Sequence, residues 1–283
     1  MSAAALAEAR QALAAAGQLP DEEIDLAATA LQFARIDAPD ADWEAARAVL
    51  SAIAQRAVAL ALADPAADAG DGEGRRAVLA RLLHEEFGFA GDSETYDDLA
   101  NANLIRVIER RRGLPVALGI LWLHAAEAAG WEAHGVDFPG HFLIALRGSE
   151  GPVLVDAFAG GKRLEPADLR ALLRRLHGAG AELQPGMLTA MGRRAVLLRL
   201  QNNIKLRRLK AGDLAGALAC TEDMLRLSPD HPLLWRDLGL INERLERNGA
   251  ALAAFERALA LAPPEELAAE LRPRIEALRS RLN

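Results

Sequence analysis

Apolar positions along the chain fall into long helical stretches, interrupted once by a short stretch that alternates. Residues 3–16 and 22–35 read as alanine-rich amphipathic helices punctuated by Pro20 and Pro39. Residues 42–63 carry Trp43, Ala46, Val49, Leu50 and Ile53 near the 3.6-residue spacing of a helix. Ala66 to Gly74 reads as a loop, residues 74–87 as a helix bearing Val78, Leu79 and Leu82, and Leu99–Arg111 as a short helix. Pro115 then opens a helix running to about Ala129. Proline suits a first turn, because its missing N–H had no intrahelical acceptor, and Gly130 stops the helix. Residues 133–138, 141–146 and 153–158 read as strands, with a turn over Arg147–Pro152 and Gly160 and Gly161 closing the last of them.

From about residue 192 the texture is purely helical and repeats with a period of 34 residues. With Trp235 at position 4, Leu238, Gly239, Ala251, Phe255, Ala258 and Pro263 fall on the positions of the tetratricopeptide repeat consensus. One period earlier, Ala217, Thr221 and Pro229 match Ala251, Phe255 and Pro263, with Gly212 and Asp213 in the turn between helices. Small residues belong where paired helices approach closely. The prolines end one unit before the next begins. A final helix, Glu265–Leu282, is expected to cap the stack, with Pro273 kinking or splitting it.

Composition supports a helical, water-soluble chain. Of its 283 residues 51% are apolar and only 4% aromatic, with alanine and leucine dominant. Length allows one large or two small domains. The net charge of −7 is unevenly spread: residues 1–104 hold 19 acidic and 7 basic side chains, whereas Leu169 to Gly212 holds ten Lys/Arg and one acid, Glu182. This basic stretch reads as a solvated helix face paired with the acidic N-terminal part, or as a docking surface for an acidic partner. The acidic whole and the lack of interleaved aromatics argue against nucleic acid. The single cysteine, Cys220, excludes an internal disulfide and a cysteine-cluster metal site, and reads as a buried structural thiol in a reducing compartment. Neither a signal peptide nor 18 uninterrupted apolar residues is found, so a cytoplasmic protein without a membrane span is expected.

The candidate chemistry lies in the alternating stretch. Pro115 opens a helix, His141 stands on the second strand and Asp156 on the third, as in a Cys-His-Asp papain-like or transglutaminase-like site. If the strand turn centres near residues 149–150, His141 and Asp156 share a face, opposite or one diagonal apart, and Asp156 holds the imidazole in one tautomer. A thiolate at a helix N-terminus would be activated by the free N–H groups there, but Pro115 carries no nucleophile and Leu114, Val116 and Ala117 are equally inert. His141 and Asp156 then read as a buried pair fixing strand register, as a retained recognition site, or as an active site with another nucleophile. The segment Phe87-Gly88-Phe89 … Tyr96 … Asn101 reads as a loop held by Asx turns, or as part of the cleft, with Tyr96, Asn101 and Arg112 lining it. His134, Asp137 and His141 lack a third ligand position for a metal. P-loop, GxGxxG, HExxH and GxSxG patterns are missing from the sequence, and no cofactor is expected.

Phe87-Gly88-Phe89, Tyr96-Asp97-Asp98, Asn101, Arg112-Gly113-Leu114-Pro115, Phe138-Pro139-Gly140-His141-Phe142-Leu143, Asp156-Ala157-Phe158 and Gly160-Gly161 together resemble the bacterial SirB-type proteins. These join a transglutaminase-like domain to C-terminal tetratricopeptide repeats. Ala157 stands where the family pattern has proline. The resemblance implies an α+β fold, mostly helical: a transglutaminase-like (papain-like core) domain with a small antiparallel sheet over 1–185, including a helical lead-in. An all-α repeat domain then covers 192–283, with repeats at about 198–231 and 232–265 and a capping helix. It implies scaffolding use and not transglutaminase activity. The expected role is a non-catalytic interaction or regulatory protein, its repeat face presenting Arg199, Lys205, Arg207 and Arg208 to an acidic peptide or protein. The alternative is an amide-bond hydrolase or acyl-transfer enzyme using His141 and Asp156 with a non-cysteine nucleophile.

Overall fold

The computed structural model describes residues 2–63 and 71–282; most of the loop read at Ala66 to Gly74 lies outside them. Two compact units result: Pro20–Leu200, and Ser2–Leu19 together with Gln201–Asn283. Residues 2–19 therefore do not join the lead-in helices of the first unit. Their helix α1 (Ala3–Gly17) instead packs in the second unit, with Arg10 paired to Asp223 at 2.9 Å.

In the first unit, α2 (Leu26–Asp37) starts where Asp25 accepts the Ala28 N–H at 2.9 Å. Next comes α3 (Trp43–Ala63), which buries Ala46, Leu50, Ile53, Ala57 and Leu60 along one face. By length and composition α3 could cross a membrane, with a mean hydropathy of 1.4 over its most apolar window. Its one-sided burial, with Glu44, Arg47 and Arg56 spread along it, is how a helix on the flank of a folded unit is built. The following helix starts earlier than its apolar spacing predicts: α4 (Gly72–Ala80) is capped by Asp71, and the chain continues as a π turn over Arg81–Glu86. The single helix expected over Leu99–Arg111 is two pieces. A 3-10 turn, Leu99–Asn101, precedes α5 (Leu104–Arg110), because Asn103 stops the first and caps the second by accepting from Ile105 and Arg106. Helix α6 (Pro115–Ala128) has Pro115 at its first position and is buried on nearly every side. Helix α7 (Pro166–His177) opens on Pro166 with a capping box between Glu165 and Asp168.

Short strands β1 (Ala90–Gly91) and β2 (Arg112–Gly113) pair in parallel. The main sheet is wholly antiparallel, in the order β6-β5-β4-β3-β7, with β3 (Ala133–Phe138), β4 (His141–Gly148), β5 (Gly151–Asp156), β6 (Lys162–Arg163) and β7 (Thr189–Met191). The β4–β5 connection is tighter than the turn read at Arg147–Pro152: Gly148 pairs with Gly151, which carries a φ of 119°. On one face Phe142 lies between Gly119 of α6 and Gly135 of β3. A Cβ at either glycine would meet the ring, 2.7 Å from its Cδ1 and 2.6 Å from its Cζ respectively. On the other face Val136, Phe138, Leu143 and Ala145 pack with Leu164, Leu169, Leu172 and Leu173.

The second helical region runs α8 (Arg193–Lys210), α9 (Leu214–Leu227), α10 (Pro232–Arg244), α11 (Asn248–Ala260) and α12 (Glu265–Leu282). The unit boundary falls within α8, at Leu200/Gln201. The consensus positions do what their chemistry requires. Gly239 faces Phe255 so closely that a Cβ would stand 2.8 Å from its Cζ, and the Trp235 indole donates to the Pro229 carbonyl at 2.7 Å. Thr221, the counterpart of Phe255 one period earlier, is buried and donates to Ala217 O at 2.8 Å. Pro273 does not split α12, which is continuous through it. Both Pro273 and Ala269, whose carbonyl loses its usual donor, lie on the exposed face, where water can serve that carbonyl.

Candidate functional site

The loop before α6 is tied down by Asp92, a residue the sequence reading did not single out. Its Oδ1 accepts from Glu94 N and Thr95 N, and its Oδ2 from Thr95 Oγ1 at 2.6 Å and Arg110 Nη2 at 3.0 Å. The three-residue spacing from Asp92 to Thr95 is the local signal of this Asx arrangement. Asn101, fully buried, donates to Thr95 O at 2.6 Å and accepts from Arg110 at 3.1 Å. Its carbonyl takes the Leu114 N–H at 2.9 Å, one residue before Pro115. Asn101 thus acts as a strut under the start of α6.

The Thr95 hydroxyl, above all, lowers the Asp92 pKa to about 2 from an ordinary 3.8. A carboxylate with a depressed folded-state pKa stabilises the fold fully above its unfolded value and loses that contribution as pH falls toward the folded one. Asp92 is therefore expected to contribute about 2 kcal/mol at neutral pH, lost between about pH 4 and pH 2. Urea titrations of wild type and Asp92→Asn across that window check this, the variant showing a flatter acid limb.

His141 and Asp156 meet. In the β4–β5 register Ile144 pairs with Val155, so Asp156 falls opposite Leu143 and one diagonal from His141. His141 Nε2 lies 3.0 Å from Asp156 Oδ1. Since a carboxylate only accepts, Nε2 carries the proton of this contact. Asp156 Oδ1 also accepts the Phe158 and Ala159 N–H groups at 3.0 and 3.4 Å. The two side chains are sealed, with residue exposures of 6% and 5%. Phe158 packs edge-on against the imidazole with ring centroids 6.1 Å apart, and Tyr96 packs edge-on against Phe158 at 5.9 Å. Tyr96, 41% exposed, reaches the pair through Phe158. Arg112 is exposed on β2 and forms no hydrogen bond or ion pair among the described residues. Pro115 is buried at the first position of α6, where Leu114 offers no side-chain cap.

The four basic residues expected on one repeat face do not form one. Arg199 belongs to the first unit. It pairs with Asp137, donates to His141 O and, at 3.4 Å, to Phe138 O, and lies over the Phe142 ring, so it clamps the turn between β3 and β4. Lys205 is 3% exposed and paired with Asp237. Arg207 bonds to Asn203 within its own helix, and Arg208 donates to Gly216 O at 2.9 Å. The second unit does carry a groove of about 260 Å³ between α8 and α10. Leu206, Leu209, Leu240 and Ile241 supply its apolar surface, and Lys205, Arg236, Asp237 and Arg244 its charge. Cys220 is buried, its Sγ 3.6 Å from Gln201 O. Among the described residues no group of His, Cys, Asp and Glu is arranged to hold a metal ion.

Comparison with known proteins places this geometry. A family model described as Transglutaminase-like superfamily matches residues 44–202, and a tetratricopeptide repeat model matches 204–283. A UPF0162 protein of Vibrio cholerae is 32% identical over 209 residues, 74% of this chain and 77% of that protein. Another, from Xylella fastidiosa, is 29% identical over 246 residues, 86% of each. The crystal structure of menin aligns over 91% of this chain and 70% of that one, at 11% identity and a TM-score of 0.42, a likeness too loose to build on.

Proposed function

The chain belongs to the transglutaminase-like superfamily, and from that premise we propose that it works without catalysis, as an interaction protein whose repeats hold a segment of a partner protein. The observation that carries this reading is Pro115. At the helix start where a thiol would be activated, the backbone N–H itself is missing, the side chain is inert and the residue is buried. The sealed His141–Asp156 pair supports it, because a base acting on water needs water at its ring. One observation favours the second reading, amide-bond hydrolysis with water as nucleophile: the 3.0 Å contact orients the imidazole as a triad would. The single buried cysteine fits a reducing cytoplasm.

The partner's chemistry follows from the groove between α8 and α10. Leu206 is 54% exposed there; Lys205 and Arg236 both pair with Asp237, and with Arg244 they leave the lining a net positive charge. An acidic segment carrying one or two leucine-like side chains suits it. Affinity capture by the full chain, compared with the double variant Leu206→Asp, Arg244→Glu and with His141→Gln, tests this. The double variant is expected to weaken the specific partner about ten-fold or more, with His141→Gln still binding. Full retention by the double variant overturns the groove. A purified amidase activity lost in His141→Gln overturns the non-catalytic reading.

A further inference from the structure

We propose that a cavity at the C-terminal end of α6 is a binding site for an organic cation: an ammonium or guanidinium group carried on an apolar stem. The cavity lies wholly within the first unit, between the end of α6, the start of β3 and the start of α8, and its volume is about 470 Å³. That volume is typical of small-molecule sites, which are apolar with a few placed polar groups. Leu26, Leu123, Trp131 and Val196 give it a firm apolar floor, and an apolar stem would cover what remains exposed of it.

The rim fixes the sign of the ligand. Asp21, Glu22, Glu127 and Glu132 face it with Arg193 as the only lysine or arginine in the lining, a net charge of −3. Arg193 is already committed: it grips Glu127 through two nitrogens, at 2.7 and 3.0 Å, and donates to Ile24 O at 2.9 Å. Asp21 accepts the Arg193 and Arg194 N–H groups and so caps α8, which fixes that wall. Glu132 pairs with Arg147, which is not in the lining. Glu22 is exposed and forms no hydrogen bond or ion pair among the described residues. The C-terminal end of α6, at Gly130, adds the negative pole of a helix. Trp131 shows the same taste: Arg75 stacks over its ring at 5.9 Å. An anion would meet a lining of net negative charge, with Glu22 the carboxylate left without a partner among the described residues, and a neutral apolar molecule would leave that charge unanswered. This site is independent of the groove in the repeats, so either can fail without the other.

The chemistry can come from a free small amine or from a lysine side chain of another protein, and the test separates them. The full chain, isotopically labelled, is titrated while the Trp131 indole N–H signal, identified by its loss in Trp131→Phe, is followed by NMR. Phenethylammonium represents the free amine, Nα-acetyl-lysine amide the protein side chain, and 3-phenylpropanoate and 3-phenylpropanol are the anionic and neutral controls. A saturable shift with at least one cation, half-maximal below about 5 mM, is expected, and the tighter of the two names the source. Glu22→Gln and Glu132→Gln, both at exposed positions, are each expected to weaken it about two- to five-fold. No saturable shift with either cation, or an equal response to 3-phenylpropanoate or 3-phenylpropanol, overturns the proposal.

Discussion

Replacing Asp156 with alanine is expected to destabilise the first unit by about 3 kcal/mol, while Asp156→Asn costs about 1 kcal/mol. The difference follows from what Asp156 holds. Its Oδ1 serves His141 and the Phe158 and Ala159 N–H groups at once, and all are buried or partly buried. Alanine leaves the imidazole and two backbone donors without an acceptor in a place water scarcely reaches. Asparagine keeps an acceptor oxygen in the same position and loses mainly the charge assistance. In thermal unfolding the alanine variant should melt roughly 8 °C lower. A catalytic aspartate shows another pattern, with activity lost in both variants and stability little changed. Denaturation of the two variants beside wild type therefore separates a structural pair from a working one, and equal stability in all three would sink the structural account.

Gly119→Ala is expected to destabilise by about 2 kcal/mol, against the sign that helix propensity gives. In an open helix that change stabilises by about 1 kcal/mol. Here the new methyl group would press into the Phe142 ring, which is 1% exposed and held from the other side by Gly135. The ring cannot move away, so α6 must lift from the sheet or Phe142 must leave its rotamer, and either outweighs the propensity gain. Phe142→Leu in the Gly119→Ala background should recover part of the loss, because a smaller side chain relieves the collision. Chemical denaturation of the two single variants and the double variant measures this coupling, and a stabilised Gly119→Ala would show that the helix and sheet are not in contact there.

What the sequence displayed depended on how far each interaction reaches. Pro115 as a helix start, the pairing of His141 with Asp156, and the meeting of Gly239 with Phe255 follow from local turns, strand alternation or a fixed repeat length. The family and the α+β class with its small antiparallel sheet were visible for the same reason. Charges behaved otherwise. Arg199 finds Asp137 across 62 positions and Lys205 finds Asp237 across 32, so a run that reads as one basic face is spent in separate places. Asn101 was open to two readings, a held loop or a cleft lining, and its atoms serve Thr95, Arg110 and Leu114. Pro273 shows the converse: the helix is not split there, because the carbonyl it orphans lies on the exposed face.

Helix α1 has its partner far along the chain. Arg10 waits for Asp223, more than two hundred residues later, and Gly17 packs against the backbone at Arg226 and Leu227. Until the intervening residues are made α1 lacks this partner, and its closure carries the entropy of a very long loop. The first unit can fold meanwhile, since its own contacts lie within Pro20–Leu200. The repeat unit closes only when α1 meets residues made long after it.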